Sequence, residues 1–183
     1  MITQQVTVPT SKFFNVYQFD DMAFNIATID LIRAEGGTET KKTNVQAYMT
    51  NWKLTIPQAE FPYTDFFSFL NVSLADAWSK VAGSTPGPIQ YSIFDMWGAI
   101  YNQGDFSKVH QHAKAKLSFV YYLQAIGDDI APLLFNDIEY ELTPNTGMLV
   151  VFPGWLNHCV PPSTGNHERI VLAGNIHIPD LAY

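Results

Sequence analysis

Apolar positions follow two regimes along this chain. Before the loop-forming run Ser84-Thr85-Pro86-Gly87-Pro88 they are interspersed with polar residues, and after it they gather into short continuous runs. In the first part, Phe13 to Phe19 reads as a strand. Asp20 and Asp21 can cap a helix on which Met22, Ile26 and Ile29 recur at helical spacing, with Gly36 as its stop. Ser73 with Asp76 three residues on reads as a capping box for a short helix ending at Gly83, with Trp78 and Val81 as its buried face. In the second part, Ile93 to Tyr101, Lys116 to Leu123, Leu133 to Phe135, Met148 to Phe152 and Arg169 to His177 are rich in β-branched and aromatic residues and bounded by turn formers. Short strands at this spacing predict a mainly β fold with flanking helices, of sandwich or jelly-roll type. The expected organisation is one domain over 1–183, in which 1–88 supplies supporting helices and strands and 89–183 the β core.

Composition narrows the field. The chain has 183 residues, 47% of them hydrophobic and only 15% charged, which suits one globular domain with a real core. A net charge of -7 and the lack of a basic stripe argue against nucleic acid as partner; Lys108, Lys114 and Lys116 read as a solvated face. Cys159 is the single cysteine, so no intrachain disulfide can form. Met1 to Lys12 lacks the pattern of a signal peptide, and no apolar run reaches the ~20 residues a membrane span needs. The expectation is a cytoplasmic protein with no membrane partner; a homodimer is compatible with it.

The chemistry lies in the histidines. His110-Gln111-His112 places two imidazoles on one face if the segment is a strand, so that both can reach one metal ion. His158 follows the run Met148 to Phe152 and the turn Pro153-Gly154-Trp155, as a ligand presented at the mouth of a β-barrel would. Imidazole suits Fe, Zn, Cu or Ni. Arg169 opens the last strand, and alternation puts Arg169, Val171, Ala173 and Asn175 on one face; an Arg so placed near a metal can clamp a carboxylate with two hydrogen bonds. The plainer alternative for Arg169 is an exposed pair with Glu168.

The segment from Trp97 to Ile176 resembles the catalytic part of the 2-oxoglutarate/Fe(II) oxygenase superfamily, and more narrowly a branch found in marine bacteria and phages. The resemblance rests on Trp97 with Gly104-Asp105, His110-Gln111-His112, Leu117 to Leu123, Leu134-Phe135, Gly147 to Pro153, Trp155-Leu156-Asn157-His158 and Glu168-Arg169-Ile170, with Asn44 and Trp52 as a fainter upstream echo. It implies a double-stranded β-helix fold and the cofactors Fe(II), 2-oxoglutarate and O2. His110 and His158 stand where the metal ligands are expected, Arg169 where the far carboxylate of 2-oxoglutarate is bound, and Tyr121 where a hydroxyl contacts the same carboxylate. The implied reaction is hydroxylation of an unknown small-molecule or peptide substrate, with release of succinate and CO2, in the host cytoplasm if the chain is phage-encoded.

One position departs from the superfamily pattern: His112 stands where an Asp or Glu is usual. Three neutral imidazoles leave Fe(II) its full charge, which favours the dianionic cosubstrate and makes the metal harder to oxidise. Either His112 is a true third ligand, or a carboxylate such as Asp105, Asp137 or Glu139 completes the shell.

The same histidines fit a cupin, since Gly104 precedes His110-x-His112 and Gly147 precedes Pro153 and His158 at the spacing of the two cupin motifs. The cupin Glu is absent: Lys114 to Leu117 occupy its place, and Trp155 sits where a Gly is wanted. A three-histidine cupin dioxygenase or isomerase would have no use for 2-oxoglutarate. A third class is a non-enzymatic metal- or sugar-binding jelly roll, in which the aromatics Phe61, Tyr63, Phe66, Phe67 and Phe69 could support an interface, although core packing explains them as well. Trp97 and Trp155 can wall a substrate cavity, and Asn102 and Asn175 can present amides to a ligand. Cys159 reads as a small buried group, and His167 and His177 as solvated.

Overall fold

A computed structural model describes residues 14–35, 38–39, 44–85, 87–127 and 129–179. Two antiparallel sheets face each other. The larger has seven strands in the order β1-β10-β7-β12-β5-β4-β2, and the smaller has five in the order β3-β6-β11-β8-β9. In the large sheet these are β1 (Asn15–Gln18), β2 (Thr38–Glu39), β4 (Tyr48–Met49), β5 (Ser92–Tyr101), β7 (Leu117–Gln124), β10 (Met148–Pro153) and β12 (Arg169–His177). In the small sheet they are β3 (Val45–Gln46), β6 (Phe106–His110), β8 (Leu133–Phe135), β9 (Tyr140–Leu142) and β11 (His158–Val160). This is a jelly roll, with helices α1 (Met22–Glu35) and α2 (Tyr63–Ala82) beside it. Among the described residues no helix is long and apolar enough to cross a membrane.

The runs β7, β10 and β12 are continuously apolar because the large sheet is buried on both faces. Its outer face packs on the helices in a cluster that joins Leu117, Phe119, Tyr121, Leu149, Val151 and Leu172 to Phe24, Ile32, Phe66 and Leu70. Its inner face meets the small sheet in a second cluster, which includes Trp97, Tyr101, Tyr122, Val150, Phe152, Val171 and Ala173 with Leu133, Phe135 and Val160. The first 88 residues do more than cover the core: β1 forms an edge of the large sheet against β10, and β4 extends that sheet beyond β5.

Several sequence expectations need correction. The segment Ser73-Asp76 does not start a helix. Ser73 is buried in the interior of α2, which begins at Tyr63 after Pro62 without a side-chain cap and ends where Gly83 adopts the left-handed conformation, φ 66. Its buried face is Phe66, Phe67, Leu70, Leu74 and Ala77, with Trp78 and Val81 half-buried and packed against the same cluster. On α1 the buried residues are Phe24, Asn25, Thr28 and Ile32, while Met22 and Ile26 face outward. The expected stop at Gly36 lies outside the described residues, as do Phe13 and the stretch Met1 to Lys12.

Candidate active site

Two strand ends and a turn bring the histidines together. His110 is the last residue of β6, and it pairs directly with His158, the first residue of β11. His112 lies beyond the end of β6, so strand alternation does not place it. The backbone does: its N–H donates to the Gly154 carbonyl at 2.7 Å, and its own carbonyl accepts from Ala115 N at 2.8 Å. That turn leaves no room at Gly154, where a Cβ would stand 2.3 Å from Ala115 O and 2.6 Å from His112 O. A glycine is thus required for the β10–β11 turn to press against the His112 backbone.

The ring centroids of His110 and His158 are 4.4 Å apart, those of His110 and His112 5.1 Å, and those of His112 and His158 5.2 Å. One nitrogen from each ring lies within 4.8 Å of the others, and among the described residues no carboxylate joins this group. Three nitrogens about 2.1 Å from one ion stand roughly 3.0–3.6 Å apart, so ring shifts of about 1 Å let all three reach it. Two tautomers are set by the backbone. His110 Nδ1 lies 2.7 Å from Lys108 O and His158 Nδ1 2.9 Å from Leu156 O; a carbonyl only accepts, so each Nδ1 donates and each Nε2 keeps its lone pair.

Burial, reinforced by the neighbouring imidazoles, holds His112 down at about 4 and His158 at about 3, and burial lowers His110 as well. The rings are therefore neutral and available as ligands well below neutral pH. The sign for folding follows. The unfolded chain binds protons near its usual histidine value of 6.5 and the folded chain resists them, so this contribution is complete above about 6.5 and is lost as pH falls towards about 4 and then about 3. The metal-free protein is expected to lose up to about 1.4 kcal/mol per histidine for each pH unit across that window, read as a falling denaturation midpoint in an acid titration.

On the inner face of the large sheet lies Arg169, only 2% exposed. Its guanidinium carbon sits 4.9 Å from the Tyr101 ring centre and 5.1 Å from that of Tyr122, and one amino group reaches Ala131 O at 3.4 Å. The neighbouring Glu168 pairs instead with Arg33, at 2.5 Å. Among the described residues, Arg169 Nε and the Tyr122 hydroxyl are buried with no closely aligned hydrogen bond, and the Tyr122 hydroxyl leans on the Arg169 guanidinium itself. A buried cation and a buried hydroxyl left open side by side fit the carboxylate of an organic acid.

Tyr121, expected from the resemblance to contact that carboxylate, is on the wrong face. It belongs to the helix-side cluster, where its hydroxyl lies 2.8 Å from Asn25 Oδ1 and 2.9 Å from Phe19 O. Tyr122 is the tyrosine that stands beside Arg169, because successive strand residues face opposite ways and β12 sets Val171 against Tyr122. Tyr121→Phe should lower stability by about 1–2 kcal/mol and leave 2-oxoglutarate affinity unchanged. Tyr122→Phe should leave stability unchanged and weaken 2-oxoglutarate about tenfold. Thermal melts and a 2-oxoglutarate titration of both variants separate the two residues.

The other candidates are accounted for. Asp105 closes the β5–β6 turn by accepting from Asn102 N at 2.8 Å, Asp137 grips Asn157, and Glu139 is exposed at φ 50; none of the three stands among the imidazoles. Asn175 is buried, its amide held between Ser118 Oγ at 2.9 Å and Asp95 at 3.4 Å, whereas Asn102 is exposed. The Trp97 ring stands 5.9 Å from that of His112 and 4.6 Å from that of Trp52; Trp155 is 49% exposed. Cys159 is free and half-buried, and His167 and His177 are exposed.

Comparison with known proteins agrees with this geometry. A 2OG-Fe(II) oxygenase family model matches residues 134–175, the stretch that carries His158 and Arg169. No curated protein sequence is similar enough to count as a match. Among solved structures, a prolyl-4-hydroxylase of Pseudomonas putida is 20% identical with a TM-score of 0.64, covering 91% of this chain and 93% of its own. The viral collagen prolyl hydroxylase of Paramecium Bursaria Chlorella virus-1 is 16% identical with a TM-score of 0.61, covering 90% and 95%. The non-heme alpha-ketoglutarate-dependent carbocyclase SnoK of nogalamycin biosynthesis is 10% identical with a TM-score of 0.60, covering 90% and 79%. At these identities the structures speak for the fold. The matched segment, with the three converging imidazoles, makes this part of the chain similar to the 2OG-Fe(II) oxygenases, oxidoreductases that use Fe(II), 2-oxoglutarate and O2.

Proposed function

We propose that the chain hydroxylates a small-molecule or peptide substrate, with Fe(II) held by His110, His112 and His158 and 2-oxoglutarate held by Arg169 and Tyr122. The observation that carries this reading is the pair of buried polar groups, Arg169 Nε and Tyr122 OH, on the inner face of the large sheet, which packs against the small sheet whose strands carry His110 and His158. Bound Fe(II) supplies the coupling of O2 activation to decarboxylation of the keto acid, which yields succinate and CO2. The protein's own part is to keep His110 and His158 in the tautomer that offers Nε2, to fix the far carboxylate by charge and hydrogen bond, and to exclude water with Val150, Phe152, Val171 and Ala173.

The fold alone does not choose the reaction, since the similar structures include both prolyl hydroxylases and a carbocyclase. Hydroxylation is proposed as the outcome in which the oxidised position of the substrate simply takes up oxygen. A three-histidine cupin that works without 2-oxoglutarate shares the metal residues, but it leaves the Arg169 guanidinium buried and unused. The deciding assay supplies Fe(II), ascorbate and 2-oxoglutarate in air and measures succinate. Succinate that disappears in His158→Ala supports the proposal; tight Fe(II) binding with no succinate and no affinity for 2-oxoglutarate turns it to the cupin.

A further inference from the structure

His158 is reached through a tight turn, and the residue just before it is held at three of its polar atoms. Asn157 N donates to Asp137 Oδ2 at 2.9 Å, Asn157 Nδ2 donates to Asp137 Oδ1 at 3.0 Å, and Asn157 O accepts from Asn136 N at 3.0 Å. Asp137 is itself fixed, because it sits in a single 3-10 turn, Asn136–Ile138, that is closed by Glu139 in the left-handed conformation. The strand ladder does not do this work alone. On the β6 side the register of β11 shifts between His158 and Val160, so His158 is pinned there by one pair only. On the β8 side its partner is Phe135, the residue that leads into the Asp137 turn.

We propose that Asp137 is a positioning residue for the metal centre: its carboxylate grips Asn157 at two points and thereby sets where the His158 imidazole stands. The inference rests on the metal-centre reading above. A carboxylate suits the task because it offers two acceptors to two donors in one plane. An Asn there would accept at one oxygen and turn an NH2 group against a donor. Ligands must be held within ~0.5 Å for a site to keep its affinity, and loss of an outer partner costs ~10–100-fold in metal binding. The carboxylate considered from sequence as a direct ligand thus acts one residue removed from the ligand.

The test is a Co(II) titration of the full chain, followed by the visible d–d absorption, in wild type, Asp137→Asn, Asp137→Ala, Asn157→Ala and the Asp137→Ala/Asn157→Ala double variant. The expected result is a Co(II) Kd raised ~10–100-fold in both Asp137 variants with an altered d–d spectrum. The double variant should be no worse than Asp137→Ala, since the two residues act through one another. Asp137 is exposed, so the melting midpoint of the metal-free variants should stay within ~2 °C of wild type. Wild-type affinity in Asp137→Ala overturns the proposal, and so does a metal-free midpoint that falls together with the affinity, which would make Asp137 a general structural clamp. A wild-type chain that binds no Co(II) removes the metal centre itself, an outcome distinct from tight binding that Asp137→Ala leaves intact.

Discussion

Arg169→Met is expected to weaken 2-oxoglutarate binding by at least ~10²-fold while leaving the metal-free chain as stable as wild type or more so. The two effects have opposite signs because the same burial produces both. A guanidinium that is 2% exposed has given up most of its hydration, and among the described residues it has in return a long hydrogen bond to Ala131 O, the Tyr122 hydroxyl and the faces of Tyr101 and Tyr122. Burying charge without full compensation costs several kcal/mol, and replacement by an apolar side chain of similar length is often neutral or stabilising by ~1–4 kcal/mol. When a carboxylate arrives, that uncompensated cation becomes the strongest contact available to it. Removing one partner of a buried charged pair costs about 2–5 kcal/mol, and the middle of that range is ~10²-fold in Kd. Calorimetric titration with 2-oxoglutarate and a melt of the metal-free variant measure the two halves. A variant that is both destabilised and still binds the acid would show that Arg169 is a structural residue.

His158→Ala is expected to remove the metal with little disturbance of the sheets. His158 is the most buried of the three imidazoles and the one whose tautomer and backbone are held together, by Leu156 O and by pairing to both β6 and β8. Loss of a direct ligand must exceed the ~10–100-fold of an outer partner, so Fe(II) or Co(II) affinity should fall by more than ~10²-fold. The cavity left beside Phe135 and Phe152, whose rings lie 6.4 Å and 4.7 Å from that of His158, costs some packing. The imidazole's proton resistance is lost too, so the acid instability of the metal-free protein should lessen. Metal content by mass spectrometry and the pH dependence of the melting midpoint check both statements. Gln at this position is a useful companion, since it keeps much of the volume without the ring nitrogens.

How far the sequence could be read depended on which forces set each element. The strands β7, β10 and β12, with the second half of β5, stood out because both faces of the large sheet are buried there, and β8 of the small sheet stood out as a short apolar run bounded by turn formers. The two- and three-residue strands β3, β4, β9 and β11 carry no pattern long enough to see, and they exist only because a longer neighbour pairs with them. In α2 the spacing of Phe66, Leu70, Ser73, Leu74 and Ala77 is helical, but Ser73 followed by Asp76 imitates a helix start, and the aromatics before it invite an interface reading. The structure places Phe66 and Phe67 in the core and leaves Phe61 88% exposed.

The site divides in the same way. His110, His112 and His158 announce themselves by type and order, although the route by which His112 arrives, a turn braced by Gly154, does not follow from a strand period. The choice between Tyr121 and Tyr122 turns on a single residue of register. Both are fully buried, on opposite faces, and the pairing of Val171 with Tyr122 and of Leu172 with Tyr121 decides which of them meets Arg169. Pairing of this kind is long-range, and nothing local in Tyr121-Tyr122-Leu123 encodes it. The double hold of Asp137 on Asn157 is likewise invisible before folding, since the two residues are 20 apart in sequence.

The most direct test of the whole account is anaerobic addition of Fe(II) and then 2-oxoglutarate, followed by visible absorption, with Arg169→Met alongside the wild type. Chelation of the keto acid to a non-haem Fe(II) centre produces a weak charge-transfer band. The account predicts that band in the wild type, formed only when both components are present, and no band in Arg169→Met at the same 2-oxoglutarate concentration. Iron held tightly by the wild type with no band at saturating 2-oxoglutarate would contradict it, because the cosubstrate would then have no place at the three-histidine centre.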